Sequence, residues 1–379
     1  MSRMSLLLSV AVLCVVGTAR AQQPVTRDSA GVQIVENRSR AAAPTLLRLG
    51  DTPSINVGGL EADPAVEFDH RDGYVRGTLL SNGGLAVIDV WRVHFFDGRG
   101  TRTRISGARG QGPLEFAGLT GVCVTRGDTL VVVDSRNALI GILDPNGSIV
   151  RTIPRDTLGG LGFNGCLGDG TFLLTRTVGT SVARGQAGQV RIVRVRVDGS
   201  VANAVATYPG APVGTPSVRV DQAAGGNRIY LLRDMENQIR VMDPNGRLIR
   251  IIRTTDPLRP LSAQQTSERT GRARAIAAQM GRAAIPVPTH WPPYGELHVG
   301  SDGWLWAQEY HASSSEPQVW VAFDTSGVLV RRLVIPRPSV AINPSEVIGF
   351  GRGTIMVRRY DENGATFISV YPLLRASGG

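Results

Sequence analysis

Charged and aromatic side chains recur where short apolar runs of this sequence end. The candidates for chemistry are Asp134 with Arg136, Arg176, Arg233 with Asp234, Glu309 with His311, and Arg359. Around them stand Asp89, Trp91, Arg109, Glu115, Arg358, Tyr310, His290 and Trp291. An arginine fork grips carboxylate or phosphate through two parallel hydrogen bonds. Mixed charge and aromatic rings around a concavity suit a polar or anionic small ligand. The same residue types also have a plainer use. An aspartate at a strand end commonly caps its own loop, and arginine–aspartate neighbours tie elements together.

Metal chemistry has weaker support. Histidines stand at 70, 94, 290, 298 and 311. His290, His298 or His311 could join Glu309 around zinc, but their spacing matches no ligand signature. Calcium takes oxygen ligands, and Glu309, Asn164, Asn237 and Asp134 are the residues that could converge on it from separate parts of the chain. No nucleophile elbow, phosphate loop or paired-histidine metalloprotease motif occurs. Cys123 and Cys166 fall at similar places in neighbouring repeat units. They are either a disulfide or two buried thiols.

The elements that must position these residues form a repeat. Glycine-bearing turns at 82–84, 126–128, 168–170, 225–227, 301–303 and 351–353 each precede a strand: Leu85–Asp89, Thr129–Asp134, Thr171–Arg176, Arg228–Arg233, Trp304–Glu309 and Thr354–Arg359. After a loop comes a second strand in each unit, from Val93–Asp97 to Phe367–Tyr371. Then comes a second turn, such as Asp144-Pro145-Asn146-Gly147 or Asp243-Pro244-Asn245-Gly246. Proline presets φ, glycine takes the positive-φ position, and the aspartate accepts from the turn backbone. Six units spaced mostly about 40–50 residues apart have the period of propeller blades. The expected fold is all-β: a six-bladed β-propeller over 44–375, with helical insertion at about 257–295 between the fourth and fifth blades. The sixth unit lacks an outer strand, and Thr45–Leu49 is expected to supply it and close the ring. Within the insertion, Ser262 and Gln265 make a capping box, and Ile276 with Met280 gives a narrow apolar stripe. Trp304 and Trp306 alternate along one strand and are expected to pack between blades.

The N-terminus and the composition bound the compartment. Arg3, the apolar run 6–16 and Ala19-Arg20-Ala21 read as a cleavable signal peptide over 1–21, followed by a leader at 22–43. The mature chain is expected to be periplasmic or secreted, with no transmembrane segment. The formal charge is +10, and every basic residue is arginine. The arginines are scattered rather than clustered, so charge alone does not mark a polyanion-binding face.

Gly107-Ala108-Arg109-Gly110-Gln111-Gly112-Pro113-Leu114-Glu115-Phe116, with Leu130–Asp134, Ser135-Arg136-Asn137 and Ile140–Asp144 after it, resembles an NHL-type repeat. The stretch Asp28–Asn37 resembles the leader of secreted bacterial six-bladed propeller proteins. The full motif is clear only in the second unit. The resemblance implies the fold. Its relatives bind proteins, nucleic acids or small molecules, and some are enzymes. The leading expectation is a recognition module whose ligand sits at the loop face and channel mouth, either a polar or anionic small molecule or another exported protein. The rival is a lactonase-like, metal-dependent hydrolase or lyase in the same channel. Nucleic acid is disfavoured by export.

Overall fold

A computed structural model describes residues 24–59, 68, 75–112, 114–158, 162–178, 189–209, 220–233, 236–279, 281, 287–311, 313, 315–336 and 346–376. The predicted signal peptide, Asp234, His70 and Met280 lie outside them.

The turns form as their residues dictate. In five second turns the aspartate Oδ1 accepts backbone N–H groups: Asp97 from Arg99 and Thr101, Asp144 from Ser148, Asp198 from Ser200, Asp243 from Asn245 and Arg247, Asp324 from Ser326 and Val328. The glycines closing them, such as Gly147 at φ +77° and Gly246 at φ +87°, occupy the left-handed region. Tight turns of this kind force sequential antiparallel pairing.

The described residues arrange into six antiparallel meanders, the last two joined in one larger sheet. Meander 1 is Arg76–Leu79, Leu85–Ile88, Val93–Phe96 and Arg102–Ser106. Meander 2 is Leu119–Val124, Leu130–Asp134, Leu139–Leu143 and Ile149–Pro154. Meander 3 is Gly162–Cys166, Thr171–Val178, Gln189–Arg196 and Val201–Pro209. Meander 4 is Val220–Gly225, Arg228–Arg233, Gln238–Met242 and Leu248–Thr254. Meander 5 is Tyr294–Val299, Leu305–Glu309, Gln318–Phe323 and Leu329–Ile335. Meander 6 is Glu346–Gly351, Thr354–Tyr360 and Thr366–Arg375, with Ile55–Gly58 as its fourth strand.

Each meander buries both faces, so the strands read as near-continuous apolar runs. Leu85–Ile88, Val93–Phe96 and Leu130–Asp134 are buried throughout. Every hydrophobic cluster is shared by two successive meanders, including one that joins the sixth to the first through Ile55, Val57, Val75, Leu85, Met356 and Ile368. The first strands also contact one another in a closed cycle, from meander 1 round to meander 6 and back. Trp306 lies in the seam between meanders 5 and 6, stacked on Phe350 at 4.2 Å. Its strand neighbour Trp304 is only partly buried and carries Arg331 over its ring at 4.1 Å.

The N-terminal segment closes the last meander differently from the expectation. Thr45–Leu49 runs parallel to Leu329–Ile335 and antiparallel to the tail of Thr366–Arg375, bridging meanders 5 and 6. The strand that completes meander 6 is Ile55–Gly58. Its alternation explains this: Ile55 and Val57 are buried, whereas Leu47 alone is buried in Thr45–Leu49. The segment resembling a leader forms a hairpin, Val25–Ser29 with Val32–Asn37, whose second strand adds in parallel to Leu248–Thr254 of meander 4.

The insertion carries a helix, Ala263–Gln279. Its capping box is reciprocal: the Gln265 N–H donates to Ser262 Oγ at 3.1 Å and the Ser262 N–H donates to Gln265 Oε1 at 3.0 Å. The helix buries only Ala273 among its described side chains. Arg269 lies over the Trp291 ring at 4.2 Å, and Trp291 stacks on Tyr310 at 5.1 Å, which docks the insertion on the end of meander 5.

Candidate functional site

The first strands of the meanders enclose an axial cavity. One section, of about 380 Å³, is lined by Arg76, Thr120, Ser135, Arg155, Phe163 and His298, among others. A second, of about 780 Å³, continues from it, sharing Gly77, Val122, Gly165, His298 and Ile348, and opens among the glycine turns near Ser81, Asp128 and Asp302. Glycines on the inner strands allow close packing beside the cavity: an added Cβ at Gly77 or Gly349 would lie 3.3 or 3.2 Å from the Met356 side chain.

The mouth bearing Arg76 and Arg155 collects hydroxyls, amides and cations. Thr120 Oγ1 and Ser135 Oγ are 2.6 Å apart, and Arg155 Nη1 donates to Ser135 Oγ at 3.3 Å. Gln222 Nε2 donates to Thr175 Oγ1 at 2.7 Å, and Asn164 Nδ2 donates to the same oxygen at 2.5 Å. Glu346 accepts from both Arg76 and Arg358, linking meander 6 to meander 1. His298 lies 3.7 Å from Glu296 and packs edge-on against Trp320 and Phe350.

The sequence-predicted residues that are described lie at this end of the meanders, but the cavity lining is drawn from their neighbours. Asp134 is fully buried and accepts four backbone N–H groups: Ala117 at 2.7 Å, Gly118 at 3.1 Å, Arg136 at 3.0 Å and Asn137 at 2.9 Å. That ties the inter-meander loop to the Asp134–Asn137 loop. Arg136 folds its stem over Gly118, where an added Cβ would lie 2.6 Å from its Cγ. Arg176 is half-buried on meander 3. Arg233 lies 3.5 Å from Glu236. Glu309 Oε1 is 3.5 Å from Arg332 Nε. His311 packs beside Tyr310. Arg359 points to the outer edge of meander 6, donating to Ser369 Oγ and Asn56 Oδ1 at 3.0 Å each, with its guanidinium over Phe367.

The oxygen set weighed for calcium is spread out. Asn237 Nδ2 donates to the Asp256 and Thr254 carbonyls, Asn164 is bonded to Thr175, and the Asp134 oxygens are taken by amides. Among the described residues, no three His, Cys, Asp or Glu side chains cluster in a way that could hold a metal. Cys123 and Cys166 are bridged, with Cα atoms 5.7 Å apart on adjacent first strands.

Buried polar groups elsewhere serve the fold. Asp89 accepts from the Trp91 and Arg92 amides and lies 3.0 Å from His94 Nε2, with both side chains fully buried. Burial pushes the Asp89 carboxyl up, but the His94 bond and charge, the Trp91 amide and Arg92 together hold it below the usual carboxylate range.

Sequence reasoning missed Arg76, Thr120, Ser135, Arg155 and Glu346. It located the strands after each glycine turn and left the first strands implicit. The signal was available in register: an inner strand must end just before each turn, and Arg76 starts the one that ends before Asn82-Gly83.

No family model matches the chain, and no curated protein matches it. Solved structures do. A member of the DUF4221 family from Bacteroides vulgatus superposes with a TM-score of 0.51 at 11% identity, covering 87% of this chain and 99% of its own. A protein from Bacteroides fragilis described as exported gives a TM-score of 0.52 at 10% identity, covering 91% and 99%. Virginiamycin B lyase from Staphylococcus aureus is more remote, with a TM-score of 0.40 at 12% identity over 87% and 94%. At these identities the likeness concerns the fold alone. Among the described residues, no helix is long and apolar enough to cross a membrane. With its first strands in a closed cycle and its cores shared between successive sheets, the chain has the architecture of a β-propeller.

Proposed function

We propose that this chain is an exported, six-bladed, NHL-like propeller that works as a recognition module, taking a polar or anionic ligand at the loop end of its axial cavity. The observation that carries the reading is the composition of that mouth. Arg76, Thr120, Ser135, Arg155 and His298 line a cavity of about 380 Å³, which suits a small polar molecule. The cycle of six contacting first strands supports the blade count. The likeness to the exported Bacteroides fragilis protein supports export only by analogy of fold. Arg136, Arg176, Arg233, Glu309 and His311 are then residues of the surrounding loop face, with Asp134 holding that face in shape.

The test is a thermal-shift screen of the exported chain against organic acids and sugar phosphates. At least one compound raises Tm, and Ser135→Trp, which fills the mouth, abolishes the shift. A panel without any shift, or shifts that persist in Ser135→Trp, contradicts the reading.

A further inference from the structure

Strand alternation places Arg176 and Arg191 together. They are directly opposite one another on the antiparallel strands Thr171–Val178 and Gln189–Arg196. One step inward on the same face the pair is Leu174 and Val193, then Phe172 and Val195, all buried in the cluster shared with meander 2. The two arginines therefore extend this apolar row out of the core, at the seam between meanders 2 and 3. Arg155 and Ser135 approach the same seam from meander 2.

The pair is unfavourable by itself. Like charges directly opposite on paired strands repel. The Nε of each is buried and has no acceptor. Among the described residues, neither guanidinium has a carboxylate within ion-pair distance. Other arginines here are compensated: Arg194 by Asp169, Arg240 by Glu236, Arg40 by Asp256. An oxyanion between the two forks would satisfy the donors and cancel the repulsion, through charge-assisted bonds.

We propose that Arg176 and Arg191 form an oxyanion site that takes one phosphate or carboxylate group of a ligand at the seam between meanders 2 and 3. The proposal rests on the reading that the loop end binds an anionic molecule, and it assigns the anionic group to a particular pair.

The experiment is calorimetric titration of the exported chain at low ionic strength with inorganic phosphate and, separately, malonate. One equivalent of at least one probe binds. Arg176→Gln and Arg191→Gln each weaken binding by about tenfold or more. In probe-free buffer both variants melt no lower than the wild type, because the repulsion is gone, so loss of binding is not loss of fold. Preference for phosphate points to a phosphorylated ligand, and preference for malonate to a carboxylate. Wild-type affinity for both probes in either variant overturns the site. A wild-type chain that binds neither probe overturns it as well. If the organic-acid panel still shows a Ser135-dependent shift in those cases, the cavity reading stands while this assignment falls.

Discussion

Two seams of the ring treat arginine in opposite ways. Between meanders 6 and 1, Arg76 and Arg358 close on one carboxylate, Glu346. Between meanders 2 and 3, Arg176 and Arg191 face each other with, among the described residues, no carboxylate within ion-pair distance. The first arrangement carries its own carboxylate and fastens the place where the ring closes. The second costs stability unless something outside the chain compensates it, and its seam carries the covalent tie, Cys123–Cys166. Uncompensated charge in an otherwise economical structure marks where a ligand is expected.

Removing each fastening in turn separates the two seams. The largest effect is expected from the disulfide. Replacing both Cys123 and Cys166 by serine opens a crosslink with a sequence separation of 43 residues and lowers stability by about 3 kcal/mol in chemical denaturation. A loss near zero would mean that apolar packing alone holds the seam. Next comes Glu346→Gln, which leaves Arg76 and Arg358 without their shared carboxylate. It should cost about 2 kcal/mol, since the group is partly exposed. If its cost matches the near-neutral outcome expected for Arg191→Gln, the two seams are alike and the contrast fails.

The smallest effect is confined to alkaline solution. Arg40 donates to Asp256 and to the Pro293 carbonyl and lies over the Tyr294 ring at 5.3 Å, another arginine with its own carboxylate. Burial pushes the Tyr294 hydroxyl up to about 12. Its folded value is above the unfolded one, near 10, so the neutral phenol's contribution is complete below pH 10 and fades as pH rises towards 12. Tyr294→Phe should remove about 1–2 kcal/mol of that alkaline loss in melts at stepped pH. Equal alkaline sensitivity in both proteins would show that Tyr294 does not titrate from a buried state.

The sequence made the second and third strands of each meander legible because their signals are local. Asp144, Gly147, Asp243 and Gly246 do in the turns what their types demand. The closing strand was misplaced because Ile55–Gly58 is only four residues long, and its partner lies more than 300 positions away. The site was legible by region and not by residue. Arg176 stood out as a strand-end cation, but Arg191 did not. Their pairing depends on the register between two strands separated by residues 179–188, which nothing local encodes. Asp134 stood out for its type and proved to be a loop brace, the commoner use of an aspartate at a strand end.

The most direct measurement is crystallography of the protein grown with selenate, an oxyanion located by its anomalous signal. A peak is expected between the guanidinium groups of Arg176 and Arg191, lost in Arg191→Gln. Anomalous peaks found only elsewhere, with that seam empty, would contradict it.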